Sequence, residues 1–504
     1  MAVDSAVYFE MADFIRAGRW SDALAYPYPP LFPMLIAAVQ WPARSAETAG
    51  LLIALAAGLL AIFPLVAIAR TTAGETAAAG AAFLWAIHPL AIRLGVQALT
   101  DTPMVFFVAM AIWAGLRAMD ENRLSWALGA GGCSGLAYLL RPEGIEPALA
   151  LAVLYTRHGS PSSHADEENS TSSSARKTTS FAFGKKALRR VAWALAPLVG
   201  WAVIASPYIV HISGETGSLT LSKKKSTSSL LRSLAPVPEG ATTSEGVVKS
   251  SGAPAGVNQL APQGKLRRFS RSVYDFQKPL VNGIHPLVLL FGVLGAWGIR
   301  AQKARGSGRA RALLLGLLGL HLVVLVGLAA HQGATYLGGH HFFLMVLYSL
   351  PFAGAGLASA LTWGTDRLGG QRWVPIGAVA LLVAVPIIWM ATRGTDRGVM
   401  VRPAAAWIRS QVRGTPVIVT NIAKLTYHAR AKRVELSGTY DEILQRGRAQ
   451  SAHFVAFYPD LVNEVSPDFL PRLNARDLAL ARSFPEPSRD SPGQRLEIYR
   501  FRPK

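Results

Sequence analysis

Cysteine is almost missing from this chain of 504 residues: the single one, Cys133, lies inside an apolar run, so no disulfide within the chain can contribute to its fold. Charge is scarce too, at 16% of residues, and acidic groups are the scarcer sign, 30 against 51 lysines and arginines, for a net charge of +21. With 51% hydrophobic residues and a mean hydropathy of +0.29, this composition is too apolar for a water-soluble globular chain and reads as a polytopic membrane protein. In hydrocarbon every backbone N–H and C=O must be satisfied within its own segment, so the spans are predicted to be α-helices. The basic excess does not point to nucleic acid, because lysine and arginine sit mostly in short loops between apolar runs, where the positive-inside bias puts them. Two more absences narrow the class. No internal repeat and no symmetry between halves is found, which argues against an inverted-repeat transporter. The C-terminal tail has no glycine-rich phosphate fingerprint.

Apolar runs long enough to span occur near 47–69, 75–93, 101–119, 188–212, 281–299, 311–330, 341–362 and 373–392, and 124–156 holds two shorter ones split by "RPEG". About ten spans are therefore predicted, in a mainly α, helical transmembrane bundle. The basic loops at Arg70, Arg117 with Arg123, Arg157 to Arg190, "RAQKARGSGRAR" (300–311) and Arg367 with Arg372 are each two spans apart, so all can face the cytoplasm. The opposite, extracytoplasmic side then receives a first outer loop 1–46 with an interfacial helix, the turn 93–101, "RPEG" (141–144), a long loop 213–280, "HQGATYLGGHH" (331–341) and residues 393–504. Residues 158–187, cytoplasmic, and most of the 213–280 loop are rich in Ser, Thr, Gly, Pro and Lys and are predicted to be disordered. The tail 393–504 alternates helical periodicity ("AAAWIRSQV", "YDEILQRGRAQ") with β-rich runs ("TPVIVTN", "HFVAFYP", "QRLEIYRF") and is predicted to form a small soluble α/β domain. The remainder, 1–392, is the transmembrane module.

The few ionisable groups at the outer ends of spans are the candidates for chemistry. Val3, Val7, Met11, Phe14 and Ile15 recur at helical spacing, which puts Asp4 and Tyr8 one turn apart at the start of an interfacial helix. Taken alone, Asp4 is a helix-capping aspartate. Prolines 27, 29, 30 and 33 fix a rigid entry into the next apolar stretch. Thr100 or Asp101 stands where it can cap the helix that follows, and Arg93, an arginine on the outer side against the charge bias, either pairs with Asp101 or awaits an anion. "LLRPEGIE" places Arg141, Glu143 and Glu146 at the end of an apolar run, where ionisable groups are costly; an Arg141–Glu143 structural pair is the plain reading and a site the other. His340 and His341 read as neutral helix-capping histidines, His88 as a satisfied buried one, and without a third ligand a zinc site is not supported.

The order Asp4, Tyr8 and "EMADFIRAGRW", then "YPPLFPMLIA", "LTDTP", "LAYLLRPEG" and a histidine loop near 340 resembles the GT-C glycosyltransferases, and among them the bacterial branch akin to protein O-mannosyltransferases and the lipid A aminoarabinose transferase. The resemblance covers residues 1–392. It implies catalytic roles for Asp4, as general base, and Asp101, with Tyr8, Arg93, Arg141, Glu143, His340 and His341 in substrate binding, and it implies a polyprenyl-phosphate-linked sugar as donor. The acceptor, a lipid, a glycan or a protein, is left open, as are the sugar and any divalent cation that Asp4 and Asp101 could share. Inversion at the anomeric carbon, a bacterial inner-membrane location and a lid role for the 213–280 loop are further expectations. Members of this family carry a transmembrane helix ahead of the first outer loop; only three residues precede Asp4 here, so a missing first span, giving eleven, is expected. A non-enzymatic membrane protein, transporter or scaffold, is the rival reading.

Overall fold

The computed structural model describes residues 4–158, 179–223, 276–277, 280–281, 283–298, 307–332, 337–367, 373–392, 400–459, 461–462, 466–473, 476–484 and 495–502. Most of the 158–187 and 213–280 loops lies outside the described residues. The chain divides into two compact units, one of helices between Met11 and Arg393 and one that joins the first ten residues to residues 394–504.

Five helical stretches of the first unit are long and apolar enough to cross a membrane: Ala46–Ala73, Asp101–Glu121, Leu188–Thr216, Gly308–Ala330 and Gly339–Arg367. A sixth arises if Glu75–Ile87 and Pro89–Gly95, bent by 59° at His88, count as one span. The remaining expected spans are shorter helices among the described residues, including Pro286–Gly298 and the pair Leu124–Tyr138 and Glu146–His158, and a further apolar helix, Leu31–Ala43, lies in the stretch expected to be the first outer loop. Proline, glycine and the "RPEG" turn cut these runs below the roughly 20 residues that a full crossing needs. Gly339–Arg367 is 83% buried and stands at the centre, whereas Ala46–Ala73 is 33% buried and turns Leu55, Leu59 and Phe63 outward, as a lipid-facing helix does.

Close approach is made by glycine. Helices Leu124–Tyr138 and Thr179–Thr216 meet at Gly131 and Gly200, where an added Cβ would run into the carbonyl oxygens of Pro197 and Leu128. A two-residue link, with Asn122 left-handed at φ 52°, joins Asp101–Glu121 to Leu124–Tyr138 and makes them antiparallel. The start of the first helix and the end of the second therefore lie at the same end of the bundle, which brings Asp101 level with the residues after Tyr138.

The second unit holds a five-stranded sheet in the order β2-β1-β3-β5-β4: β1 Val417–Val419, β2 Lys432–Val434, β3 Phe454–Phe457, β4 Leu478–Phe484 and β5 Leu496–Phe501. Strands β1, β2 and β3 are parallel; β5 runs antiparallel to β3 and to β4. Since β2 and β3 flank β1 on opposite sides, the helices that make the two crossovers fall on opposite faces. Helices Val401–Gln411 and Ala423–Ala429 cover Ile418, Phe454, Ala456 and Ile498, while helix Tyr440–Ala449 covers Val419, Val455 and Phe457, the period-two alternation of strands buried on both faces.

The start of helix Tyr440–Ala449 is capped twice. Thr439 and Glu442 form a capping box, and the Tyr440 N–H donates to Asp468 Oδ2 at 3.1 Å, with the Ser466 hydroxyl on Oδ1 at 3.2 Å. The Tyr440 bond chiefly, then the Ser466 hydroxyl, hold the Asp468 carboxyl below its ordinary pKa. A depressed carboxyl contributes stability that is complete above its unfolded value and is lost as pH falls through the folded one. Thermal unfolding of wild type and Asp468→Asn should accordingly differ at neutral pH and converge in acid; a gap that widens in acid would show the assignment to be wrong.

Candidate active site

The "RPEG" turn is built by local constraints. Helix Leu124–Tyr138 ends in a tight turn in which the Arg141 N–H still donates to the Ala137 carbonyl at 2.9 Å, and Pro142 then opens a 3-10 turn through Ile145. Gly144 lies so close to the backbone of Ala137 and Tyr138 that a side chain there would overlap it, and Ser134 Oγ donates to the Gly144 carbonyl at 2.6 Å. The proline-bounded entry to helix Leu31–Ala43 abuts the same place, with the Leu31 N–H on the Leu139 carbonyl at 3.1 Å.

Within that frame Arg141 Nη1 bonds directly to Asp101 Oδ1, and Arg141 Nε lies 3.7 Å from Glu143 Oε2. The Asp101 and Arg141 side chains are only 2% and 10% exposed. Thr100, not Asp101, occupies the N-cap position of the helix, so the carboxylate is committed to the guanidinium. Of the two sequence alternatives for Asp101, capping or pairing with Arg93, neither is what forms: its partner is Arg141. Arg93 lies exposed in the last turn of helix Pro89–Gly95, with no side-chain hydrogen bond or ion pair among the described residues. The plain Arg141–Glu143 pairing is present as a contact longer than the one to Asp101.

One turn further on, Glu146 is 2% exposed. Its Oε1 lies 2.6 Å from His321 Nδ1 and its Oε2 accepts from the Tyr348 hydroxyl at 3.2 Å. His321 Nε2 is 2.8 Å from the carbonyl oxygen of His341. The rings of His340 and His341 pack with 4.1 Å between centroids, tilted by 35°, and His341 Nδ1 accepts the Gly338 N–H at 3.1 Å, capping the 3-10 turn Gly339–Phe342. His88 is the satisfied buried histidine expected: Nε2 faces the Ile284 carbonyl at 3.0 Å and Nδ1 accepts the Leu90 N–H at 3.2 Å.

The structure thus brings Asp101, Arg141 and Glu143 together and sets the His340–His341 turn beside them. Asp4 and the buried Tyr8 belong to the other unit, where the Asp4 carbonyl accepts from the N–H groups of Val7 and Tyr8 and Phe9 packs on Tyr427 with 5.2 Å between ring centroids. The sequence reading passed over His321 and Tyr348. The signal for the first was present, a lone ionisable group in the apolar run "GLLGLHLVVL"; a tyrosine in an apolar helix gives none. Among the described residues no group of three or more His, Cys, Asp or Glu is placed to hold a metal ion.

A profile of the dolichyl-phosphate-mannose-protein mannosyltransferase family matches residues 28–162, from the proline cluster through Asp101, Arg141 and Glu146. No curated protein matches the chain in sequence. The solved structure of the oligosaccharyltransferase of Archaeoglobus fulgidus, in complex with zinc and sulfate, aligns with a TM-score of 0.52 at 14% identity, over 94% of this chain and 67% of that one. ArnT of Cupriavidus metallidurans bound to undecaprenyl phosphate also aligns with a TM-score of 0.52 at 14% identity, over 99% of this chain and 93% of that one. The chain has the fold of the GT-C glycosyltransferases. The resemblance drawn from the motifs is thereby met at the level of fold, and the residues that the mannosyltransferase profile matches include the Asp101–Arg141 pair.

Proposed function

We propose that this chain is a membrane glycosyltransferase that moves a sugar from a polyprenyl-phosphate donor to an envelope acceptor on the extracytoplasmic face. The observation that carries this reading is the buried Asp101–Arg141 pair in a fold similar to that of a protein crystallised with undecaprenyl phosphate. A buried ion pair is no better for stability than well-packed apolar residues, and ionisable groups within membrane helices are retained for function. A scaffold has no need for it at the meeting point of the helix 101–121 start, the "RPEG" turn and the histidine turn.

The chemistry has two requirements. As the acceptor hydroxyl attacks the anomeric carbon, its proton must be taken, and as the bond from that carbon to the phosphate oxygen breaks, the charge left on the phosphate must be met by donors already in place. Asp4 is the general base in this reading, with Tyr8 one turn along the same helix. Asp101 orients the acceptor and holds Arg141 in register. Arg141, Arg93 and the His340–His341 turn meet the phosphate, with the planar guanidinium suited to phosphate oxygens, and Glu143 tethers Arg141 from the other side. Displacement in one step inverts the anomeric carbon.

A divalent cation does not fit at Asp101 as this site is arranged, because the Arg141 guanidinium already occupies the carboxylate; no step is routed through a metal. The five helices long and apolar enough to cross a membrane support a membrane setting, and a bacterial inner membrane is the one proposed. Mass spectrometry of envelope lipids, glycans and proteins with and without the gene tests the reading. Loss of one glycosylated product with accumulation of a lipid-linked sugar is expected; identical profiles would count for the non-enzymatic alternative.

A further inference from the structure

The Glu146–His321–Tyr348 cluster has no part in the reaction as written, and its protons restrict what it can be. The carbonyl oxygen of His341 can only accept, so His321 Nε2, at 2.8 Å from it, carries a hydrogen. Nδ1 then faces Glu146 Oε1 at 2.6 Å, where two lone pairs would repel, so one proton lies between them. Written as imidazolium with carboxylate or as imidazole with carboxylic acid, the pair is neutral overall. Tyr348 donates to the second carboxyl oxygen, and all three residues are buried to 2% exposure or less. Such a cluster has no charge to offer a ligand and no opening to one. What it joins is informative: Glu146 closes the stretch whose other end, Arg141, is tied to Asp101, and His321 reaches the turn that carries the two packed histidines.

We propose that Glu146 and His321 are positioning residues, a neutral proton-sharing clamp that fixes the His340–His341 turn against the Arg141–Glu146 stretch. The histidine rings and the guanidinium then present one preset surface to the donor phosphate. The phosphate half rests on the donor reading above, whereas the clamp itself stands on the contacts.

Two variants separate the clamp from general stability. Glu146→Leu with His321→Leu removes both partners together, so no buried polar group of the pair is stranded. Glu146→Gln retains the geometry without the shared proton, its amide donating to His321 Nδ1 and its carbonyl oxygen accepting from Tyr348. Amide hydrogen exchange of the full chain in detergent is followed over residues 337–345, with 101–121 as internal reference. In the double variant the first segment is expected to exchange about tenfold faster while the second is unchanged, and affinity for undecaprenyl phosphate falls about tenfold, the scale of a small misplacement. Glu146→Gln should match wild type in both measurements. Unaltered exchange at 337–345 in the double variant overturns the clamp, as does an equal rise in both segments or a Glu146→Gln protein that behaves like the double variant. Wild-type protein that does not bind undecaprenyl phosphate overturns the donor reading instead, and the exchange comparison still decides the clamp.

Discussion

Arg141→Leu is expected to destabilise the helical unit by about 3–5 kcal/mol, the usual cost of stranding one member of a buried ion pair. Asp101, with its side chain 2% exposed, would keep a carboxylate in an apolar surround with its guanidinium gone. Asp101→Leu strands the arginine in the same way and should cost a comparable amount. Replacing both by leucine removes the two charges together, so most of the stability should return, and a double-mutant cycle should give a coupling energy of several kcal/mol, at or above the top of the roughly 0.5–3 kcal/mol span of neighbouring residues. Transfer should not return with it. Glu143→Gln, at the far end of a 3.7 Å contact and partly open to solvent, should cost no more than about 1 kcal/mol. Unfolding of the four proteins in detergent, read beside transfer to the acceptor, separates the two roles. A double variant as unstable as the singles would mean that the pair is held by something other than its own attraction; a double variant that transfers normally would leave it a purely structural device.

Why this pair was only half legible follows from the geometry. Asp101 and Arg141 are separated by 40 residues in sequence, and periodicity speaks only of neighbours a turn or two away. The sequence did mark each as an ionisable group at the end of an apolar run, and Glu143, two residues from Arg141, was the local partner on offer. The two-residue link after Glu121 was the missing constraint: it folds two helices back to back and carries Arg141 to Asp101, leaving Arg93 outside. The shortness of several helices has a related reason, since apolar composition reports what lies in hydrocarbon and not where a proline or a turn ends a helix. The C-terminal sheet shows the same limit. Its β1, β3 and β5 were announced by β-branched and aromatic runs, while β4, whose "LALARSF" has the look of a helix and sits at the sheet edge with a register shift between Leu480 and Arg482, is a strand only because β5 pairs with it.

Asp4→Asn should lower turnover by about 10²–10⁴-fold, the range attributed to a positioned general base, and leave folding almost untouched. Asparagine has the shape of aspartate, caps a helix start as well, and changes nothing in the backbone carbonyl that receives Val7 and Tyr8. What it loses is the ability to take a proton. The loss should therefore fall on turnover, with binding of the lipid-linked donor preserved, because an interaction made only as the acceptor deprotonates contributes nothing to the ground state. Asp4→Glu makes the contrast: the carboxylate is kept but displaced by a methylene, and a misplacement near 1 Å is worth about 10²-fold. Glutamate ahead of asparagine in turnover, at equal donor affinity, is the ordering a base requires. If the asparagine protein retained more than about a tenth of wild-type turnover, far above the rate left after loss of a general base, Asp4 would be a helix cap and the proton would have to leave by another group. Asp101 would then be the first to test, since the guanidinium of Arg141 already orients its carboxylate at the start of its helix.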